Sequence, residues 1–332
     1  MKLLFIGGTG IISSACSALA LAREHELFVL NRGTSAHKRP LHGAHELRAD
    51  IRNAHETAQA IAPHSFDCVV DFISFTPEHV EQNMALFAKK TKQYIFISSA
   101  SAYQTPPLHL PITERTPLEN PFWEYSRHKI ACEDMLIDAW NNSGFPATIV
   151  RPSHTYDKTL IPIEGGYTVL HRMIHNQPIV IHGDGTSLWT LTHHSDFAKG
   201  LLGVCGNEQA IGEAFHITSD EYLSWNRIYE LFGSALGVTP QVVYVPSTVI
   251  AAYNTRIGDS LLGDKAHSMI FDNAKIKSFV PDFKCSIPFE QGVHEIVQWH
   301  AKNPQYQTID NEINELFNTL VHTYTHTTSC SC

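Results

Sequence analysis

A tyrosine and a lysine four residues apart, Tyr125 and Lys129, are the pair in this chain best suited to proton transfer. They belong to a helix-like segment, and this spacing places both side chains on one helix face. A free tyrosine ionises near pH ~10 and is a poor base at neutral pH. A neighbouring ammonium group favours the phenolate, so we expect Lys129 to lower the pKa of Tyr125. An ordinary surface helix pair is the alternative for this spacing alone.

A serine-rich turn upstream of the pair strengthens the chemical interpretation. Residues 93–98 (QYIFIS) form a strand-like apolar run, and Ser98, Ser99, Ser101 and Tyr103 lie at or after its end. Doubly wound sheets bind ligands at the carboxyl ends of their strands. A serine hydroxyl there could therefore bind the oxygen that Tyr125 protonates or deprotonates. For Ser98 and Ser101, a turn with internally satisfied hydroxyls is an equal alternative.

A glycine turn at residues 7–13 (GGTGIIS) joins the first strand-like run to a helical stretch. Its first glycine permits a tight turn, and Gly10 lets the backbone approach a pyrophosphate at the helix N-terminus. Ser13 replaces the third glycine of the usual pattern, and we expect it to loosen the helix–strand packing slightly. The cofactor-binding residues predicted in this turn are Gly7, Thr9, Gly10, Ile11 and Ile12.

The end of the second strand bears on the choice of cofactor. An acidic residue that binds the ribose hydroxyls is usual for NAD, whereas this chain has Asn31 and Arg32. A guanidinium can pair with a 2′-phosphate, which favours NADP over NAD. Alternatively, Arg32 stacks on the adenine and serves NAD equally well. Asp50 and Ile51, after the third strand, are predicted to meet the adenine ring.

Strand and helix signals alternate through the first 150 residues. Strands are predicted at 2–6, 26–30, 46–49, 67–73, 93–98 and 146–150, and helices at 11–23, 53–62, 77–90 and 122–142. This alternation predicts an α/β fold, a doubly wound parallel (Rossmann) sheet covered on both faces. We assign residues 1–155 to the dinucleotide-binding domain. Residues 156–320 form a smaller substrate-binding subdomain with some segments returning to the sheet, and 321–332 a disordered tail.

Composition narrows the class of partner. A net charge of −9 makes nucleic acid an unlikely partner, because such binding relies on Lys and Arg. No apolar run approaches the ~20 residues of a membrane helix. Seven scattered cysteines are typical of reduced thiols in a cytoplasmic protein, and the 21 histidines show no metal-binding spacing.

In combination, these motifs resemble the extended branch of the short-chain dehydrogenase/reductases, the NAD-dependent epimerase/dehydratase group. The resemblance covers residues 1 to about 300 and includes the glycine turn, ISSASAY (97–103), YSRHK (125–129), RPSHTY (151–156) and GDG (183–185). It implies a catalytic triad of Ser99, Tyr125 and Lys129, with Lys129 also holding the cofactor ribose. It further implies cofactor contacts from Phe72, Ile73, Ser98, Pro152 and His154, and substrate contacts from Ser101, Tyr103, His154 and Trp189.

Four positions beyond the glycine turn depart from the pattern of that group. Ala100 and Ser101 replace the Asp-Glu pair of the dehydratases, which argues against elimination chemistry of that type. Trp189 replaces an arginine that clamps the diphosphate in nucleotide-sugar epimerases, and either stacks on a ligand or belongs to the core. His154 replaces a common Asn and is a second acid/base or a hydrogen-bond donor.

The sequence therefore predicts an NAD(P)-dependent oxidoreductase or epimerase that acts on a hydroxyl or keto group of a sugar or sugar derivative. The chain also resembles atypical members related to chloroplast stem-loop-binding proteins, some of which bind RNA. A non-catalytic nucleotide- or RNA-binding protein on the same fold is thus the alternative. The family often pairs two subunits through the helices near 77–90 and 122–142, so we expect a homodimer.

Overall fold

The central feature of the computed structural model, which describes residues 1–33, 39 and 41–326, is a seven-stranded parallel sheet. The described strands are β1 (Lys2–Ile6), β2 (Glu26–Asn31), β3 (His45–Arg48), β4 (Cys68–Asp71), β5 (Tyr94–Ile97), β6 (Ala147–Pro152), β7 (His154–Tyr156), β8 (Ile179–His182), β9 (Leu188–Trp189), β10 (Leu191–His193), β11 (Ala214–Ile217), β12 (Leu223–Ser224) and β13 (Val242–Val245). The sheet order is β11-β6-β5-β4-β1-β2-β3. Strands β2 and β3 are added on one side of β1, and β4 to β6 on the other side. This change in the order of strands next to β1 confirms the predicted doubly wound fold.

Helices cover both faces of the sheet. The described helices are α1 (Ile11–Ala22), α2 (Ala54–Ile61), α3 (Pro77–Phe87), α4 (Glu124–Ser143), α5 (Tyr167–Ile174), α6 (His194–Val204), α7 (Trp225–Leu236), α8 (Ser247–Tyr253), α9 (Thr255–Ser260), α10 (Ala274–Phe279), α11 (Phe289–Lys302) and α12 (Asn311–His326). Leu3 and Phe5 of β1 belong to the core that includes α1 and α6, whereas Leu4 and Ile6 belong to the core with α2, α3 and α4. Alternate residues of one strand thus fill opposite layers, as expected for a sheet buried on both sides.

The predicted elements of the first 150 residues are all present. The largest difference in their ends is at α3, which was expected to reach residue 90 and ends at Phe87. The loop predicted at 31–40 lies partly outside the described residues, since 34–38 and 40 are not described. Among the described helices, none is long and apolar enough to cross a membrane.

A third core lies in the C-terminal half, around Trp189, Trp225 and Phe289. Three two-stranded pairings build it: β7 with β10, β9 with β12, and β8 with β13. Two elements from this half return to the large domain, because α6 packs on α1 and β11 forms the seventh strand beside β6. The division near residue 155 stays a prediction, with returning segments as expected.

The predicted disordered tail begins too early. Helix α12 continues through residues 321–326, and only 327–332 lie outside the described residues. Leu320 is fully buried, and Val321 and Tyr324 pack against the third core. Val321 and Tyr324 lie one and four residues beyond Leu320, so all three are near one face of α12. Their contacts with the third core hold the last turns of the helix on the protein, although the neighbouring residues are polar.

A buried ion pair ties β6 to α4. The Arg151 guanidinium donates from Nε to both carboxylate oxygens of Glu133, at 3.0 and 3.1 Å, and from Nη2 to Oε2 at 2.5 Å. The side chains are 4% and 0% exposed. A buried charge left without its partner is strongly unfavourable, so both charges are needed for this packing.

We expect Glu133→Gln to lower the free energy of unfolding by about 3–5 kcal/mol, because it leaves the Arg151 charge buried without a counter-charge. Glu230→Gln is the matched control, since Glu230 pairs with Arg227 on the surface at 3.4 Å, with side chains 63% and 50% exposed. Its loss should be about 0–1 kcal/mol. Urea unfolding of both variants measures the difference, and equal losses would contradict the role of burial.

Candidate active site

The glycine turn leaves the first helix open toward a cleft. Gly7 has φ +84°, and a Cβ there would lie 2.5 Å from Cγ2 of Ile73. A side chain at Gly10 would meet only the Ser13 hydroxyl within 3.4 Å. Helix α1 begins at Ile11 with no acidic residue in its first turn. The partial positive charge of the helix N-terminus is therefore not neutralised by its own side chains.

Ser13 closes the turn, contrary to the expectation that it loosens the packing. Its hydroxyl donates to the carbonyl of Gly7 at 2.6 Å and accepts from the amide of Gly10 at 2.8 Å. Ser17 also donates to the carbonyl of Gly8, at 2.9 Å. The hydroxyl at the third glycine position thus adds hydrogen bonds across the turn, which a glycine could not supply.

Tyr125 and Lys129 lie one helical turn apart near the start of α4. The Lys129 ammonium donates to the carbonyls of Ser74 at 2.7 Å and Ile97 at 2.8 Å. It is 5.8 Å from the centroid of the Tyr125 ring, and the residue is only 1% exposed. Burial lowers the pKa of Lys129 to about 8, opposed by the nearby Asp71 carboxylate. Two of its three donors are satisfied within the described chain, which leaves one for a ligand.

The pKa of Tyr125 moves in the direction opposite to the one expected. Burial raises the pKa of its phenol to about 12, a hydrogen bond with the Ser99 hydroxyl lowers it, and the Asp264 carboxylate raises it further. The Lys129 ammonium is directed to two carbonyls, and burial dominates the phenol. The phenol of Tyr125 is therefore a proton donor at neutral pH.

Asp71, which sequence reasoning missed, organises the turn beneath Lys129. Its buried carboxylate accepts from the amides of Ile73 and Ser74, both at 3.0 Å, from Asn83 at 2.8 Å and from the hydroxyl of Tyr94 at 2.5 Å. These bonds fix the turn that presents the Ser74 carbonyl to the lysine. The sequence signal that could have identified Asp71 is an acidic residue at the end of an otherwise apolar strand, CVVD.

The serine turn separates into two roles. Ser98 donates to the buried Glu133 carboxylate, so its hydroxyl serves the β6–α4 ion pair. Ser99 lies 2.9 Å from the Ser101 hydroxyl, which accepts from Ser126 at 2.8 Å. This chain of hydroxyls fixes Ser99 beside Tyr125.

Tyr103 does not face the cleft, so its predicted substrate contact is wrong. Its side chain is fully buried, and its hydroxyl accepts from Arg151 at 3.1 Å and lies 3.0 Å from Nδ1 of His216. A 3₁₀ turn at Ala100–Ala102 intervenes between Ser99 and this tyrosine. The chain therefore turns away from the strand end before Tyr103 is reached.

The residues predicted at the adenine end lie outside the cleft, at the ends of β2 and β3. The Asn31 side chain accepts from the amide of Gly33 at 2.8 Å, and Ile51 is 3% exposed in the core. The Arg32 guanidinium lies 3.9 Å from the Asp50 carboxylate and is 67% exposed. Arg32 is thus held loosely, with most of its donors open to solvent.

The opposite wall of the cleft carries His154 and Trp189. Burial lowers the pKa of His154 to about 3, so its imidazole is neutral and is not an acid at neutral pH. Trp189 is 3% exposed and packs against Trp225 with ring centroids 5.4 Å apart. Its indole N–H is buried and has no acceptor within the described chain.

One cleft of about 450 Å³ joins the glycine turn, the Tyr125 pair and the opposite wall. The predicted site residues that line it are Gly7, Gly10, Ile11, Ile12, Phe72, Ile73, Ser98, Ser99, Ser101, Tyr125, Lys129, Pro152, His154 and Trp189. Thr9, Asn31, Arg32, Asp50, Ile51 and Tyr103 are not among its lining residues. Sequence reasoning missed Trp123, Asp264 and Lys265, which also line it. The two charged residues come from a π-helical turn, Leu261–Lys265, about 140 residues beyond Tyr125, and no local pattern marks them.

Comparisons with known proteins agree with this arrangement. The sequence model described as the NAD dependent epimerase/dehydratase family matches residues 3–218. A chloroplast stem-loop binding protein of 41 kDa b from Arabidopsis thaliana is 27% identical, over 73% of this chain and 65% of that protein. A putative UDP-glucose 4-epimerase of Methanocaldococcus jannaschii is 22% identical, over 91% and 99%.

Solved structures show the same fold. Pal from Bacillus thuringiensis has a TM-score of 0.73 and 19% identity, over 91% of this chain and 99% of that one. The UDP-glucuronic acid 4-epimerase of Bacillus cereus, solved with UDP-glucuronic acid and NAD, has a TM-score of 0.74 and 17% identity, over 91% and 99%. At these identities the likeness concerns the fold alone.

Proposed function

The chain belongs to the NAD dependent epimerase/dehydratase family, and we propose that it transfers a hydride between a nicotinamide cofactor and a hydroxyl or keto group of a carbohydrate-like substrate. In this proposal Tyr125 is the acid/base, Ser99 binds the reacting oxygen and Lys129 holds the cofactor. The observation that carries it is the convergence of these three side chains in the same cleft as the glycine turn.

The residues of the cleft fit a dinucleotide. Gly7 and Gly10 line the cleft, the φ of +84° at Gly7 permits the tight turn, and the N-terminus of α1 offers amide donors and an uncompensated positive end to a pyrophosphate. The remaining donor of Lys129 suits a ribose hydroxyl. A bound nicotinamide supplies the acceptor or donor of the hydride at the carbon that carries the reacting oxygen.

Tyr125 moves the proton at its phenol oxygen. In the direction of reduction it donates to the developing alkoxide, for which its raised pKa leaves it protonated. In the direction of oxidation its pKa must fall. Lys129 is already in place, so the added positive charge would be that of an oxidised nicotinamide ring. Ser99, already hydrogen-bonded to Tyr125, aligns the oxygen that gains or loses the proton.

The fate of the keto intermediate separates the two reaction classes. Retention, with hydride return to the other face, gives an epimerase, whereas release gives a dehydrogenase or reductase. A cofactor that stays bound through purification and does not exchange favours the epimerase. Several relatives are named epimerases of UDP-glucose, which supports a sugar derivative as substrate.

RNA binding on the same fold is the second candidate, because the Arabidopsis relative is a stem-loop binding protein. The net charge of −9 and the Ser99/Tyr125/Lys129 arrangement argue for the enzyme instead. Tight, salt-sensitive binding of a structured RNA, together with activity that survives Tyr125→Phe, would favour the second candidate. We retain a cytoplasmic location as a prediction.

We expect Tyr125→Phe to reduce turnover by about 10²–10⁴-fold, because it removes the phenol hydroxyl that exchanges a proton with the reacting oxygen of the substrate. The dissociation constant for NADH or NADPH should change little, since Lys129 and the glycine turn remain. Cofactor reduction at 340 nm and product analysis with UDP-glucose, UDP-glucuronic acid and simple sugars measure turnover, and fluorescence titration measures binding. Tyr253→Phe, at a residue 52% exposed, is the control. Full activity of Tyr125→Phe would refute the assigned role.

We propose NADP as the preferred cofactor. The Arg32 guanidinium is mostly exposed, and its contact with Asp50 is long, at 3.9 Å, so it is available to a 2′-phosphate. Arg32→Ala should weaken NADPH binding about tenfold and NADH binding less than twofold, since only NADPH carries the 2′-phosphate. Fluorescence titration of both cofactors gives the ratio, with the exposed Arg227→Ala as control. Equal losses for the two cofactors would instead indicate that Arg32 stacks on adenine.

We propose a homodimer through α3 and α4. Helix α4 exposes Ile137 at 41% and Trp140 at 38%, which is unusual for an unpartnered helix face. Light scattering should give twice the chain mass of 37.1 kDa, and Ile137→Glu should shift the protein toward the monomer. Ile174→Glu on α5, at a residue 47% exposed, should have no such effect. A wild-type monomer would end this proposal.

A further inference from the structure

The end of the cleft beyond Tyr125 contains a buried cation that no predicted role uses. Lys265 is 9% exposed and lines the cleft with Asp264, Trp123 and Trp189. Its ammonium donates to the Ser260 hydroxyl at 3.0 Å and lies 5.7 Å from the centroid of the Trp123 ring. One side-chain hydrogen bond from three donors leaves this charge available to a ligand.

The backbone of Lys265 is fixed unusually firmly. Its carbonyl accepts from Nε2 of His182 at 3.1 Å, from the Ser187 hydroxyl at 3.2 Å and from the indole of Trp225 at 3.1 Å. Three side chains thus fix the Lys265 backbone in the wall of the cleft, and the Ser260 hydroxyl holds its ammonium. It is not a surface lysine that happens to reach the site.

Asp264 does not cancel this charge fully. Burial raises the pKa of its carboxyl to about 7, and the adjacent Lys265 lowers it only partly. The carboxyl is therefore divided between its neutral and charged forms at neutral pH. The neutral imidazole of His154 adds no second cation.

Trp189 supplies a second, independent indication of a ligand. It lines the same end of the cleft, and its buried N–H has no acceptor in the described part of the chain. Buried donors are nearly always satisfied, so an acceptor oxygen from a ligand is the natural partner. The indole has a single donor, and it cannot form the forked contact that a guanidinium makes with a diphosphate.

The size of the cleft limits the substrate. Met269 and Phe271, which are 2% and 9% exposed, also line the cleft. The cleft of about 450 Å³ must accept both the nicotinamide end of the cofactor and the substrate. Pockets for one drug-sized ligand already measure roughly 300–1,000 Å³. The volume between these residues suits a nicotinamide ring beside a monosaccharide-sized substrate.

We propose that the substrate is a monosaccharide-sized polyol with its own anionic group, a carboxylate or a phosphate monoester, bound by the Lys265 ammonium while the Trp189 N–H binds one of its oxygens. This inference rests on the proposed function and names the substrate class of the same site. Lys265 and Trp189 are binding residues here, and the proton still moves at Tyr125.

Calorimetric binding to the whole 332-residue chain saturated with NADPH, the cofactor proposed above, tests the proposal without requiring turnover. The probes are glucose and galactose, the sugar acids glucuronate, galacturonate and gluconate, the sugar phosphates glucose 6-phosphate and galactose 6-phosphate, and UDP-glucose. At least one acid or phosphate should bind about tenfold or more tightly than the uncharged sugars, as expected for a charge-assisted hydrogen bond. The stronger class identifies the anion. Tighter binding of UDP-glucose than of every monosaccharide, or no binding by any acid or phosphate, would overturn the proposal.

Three variants separate the contribution of the Lys265 charge from that of the Trp189 side chain. Lys265→Met should abolish the preference for the anionic probe, whereas Lys265→Arg should retain most of it. Trp189→Phe should weaken the anionic and uncharged sugars by a similar factor, because it removes no charge and both kinds of sugar lose the N–H and part of the indole ring. Thermal unfolding of each variant checks that it is folded. An unchanged preference in folded Lys265→Met would overturn the assignment, and the comparison of probes on the wild-type protein stands if a variant does not fold.

The outcomes also distinguish this proposal from the function it rests on. Selective binding of an acid without any hydride transfer would leave the anion site in place and remove the proposed reaction. Turnover of UDP-glucose that depends on Tyr125, without selectivity for anionic monosaccharides, would do the reverse.

Discussion

The arrangement of the site depends on a lysine ammonium buried between two strand ends. Lys129 is directed to the carbonyls of Ser74 and Ile97, which follow β4 and end β5, and the rings of Phe75 and Phe96 lie within 5 Å of its nitrogen. A buried charge is tolerated only where such partners are fixed in advance. Asp71 provides this by holding the turn that carries Ser74. The position of Tyr125 one helical turn away follows from the same anchoring of α4.

This anchoring also explains why the tyrosine alone is not a base. The donors that hold Lys129 in place are directed at the backbone, and burial dominates the phenol of Tyr125. The protein therefore prepares a proton donor that becomes an acceptor only when further positive charge is near it. Ser99 contributes the hydrogen bond that favours the phenolate, and the chain of hydroxyls through Ser101 and Ser126 keeps that bond in place.

Local patterns were sufficient for β1 to β6 and for placing Ser99, Tyr125 and Lys129 in one cleft. Short apolar runs separated by helix-length segments define β1 to β6, and a spacing of four residues is enough to place Tyr125 above Lys129. Tyr103 was misassigned because residue alternation does not reveal a 3₁₀ turn between it and Ser99. Asp264 and Lys265 could not be found locally, since their place in the cleft depends on a π-helical turn and on packing between segments far apart in sequence. The tail was misjudged because two apolar residues, Val321 and Tyr324, outweigh a polar composition once a surface is there to receive them.

The carbonyl of Lys265 joins three segments that are distant from one another along the chain. His182 ends β8, Ser187 precedes β9 and Trp225 begins α7, and each donates to the same oxygen atom. A shift of any of these elements would be transmitted to the Lys265 backbone without altering a residue that touches substrate. Substitutions in the hydrophobic interior around Trp225 would therefore move the side of the cleft that carries Lys265, while α4 stayed in place.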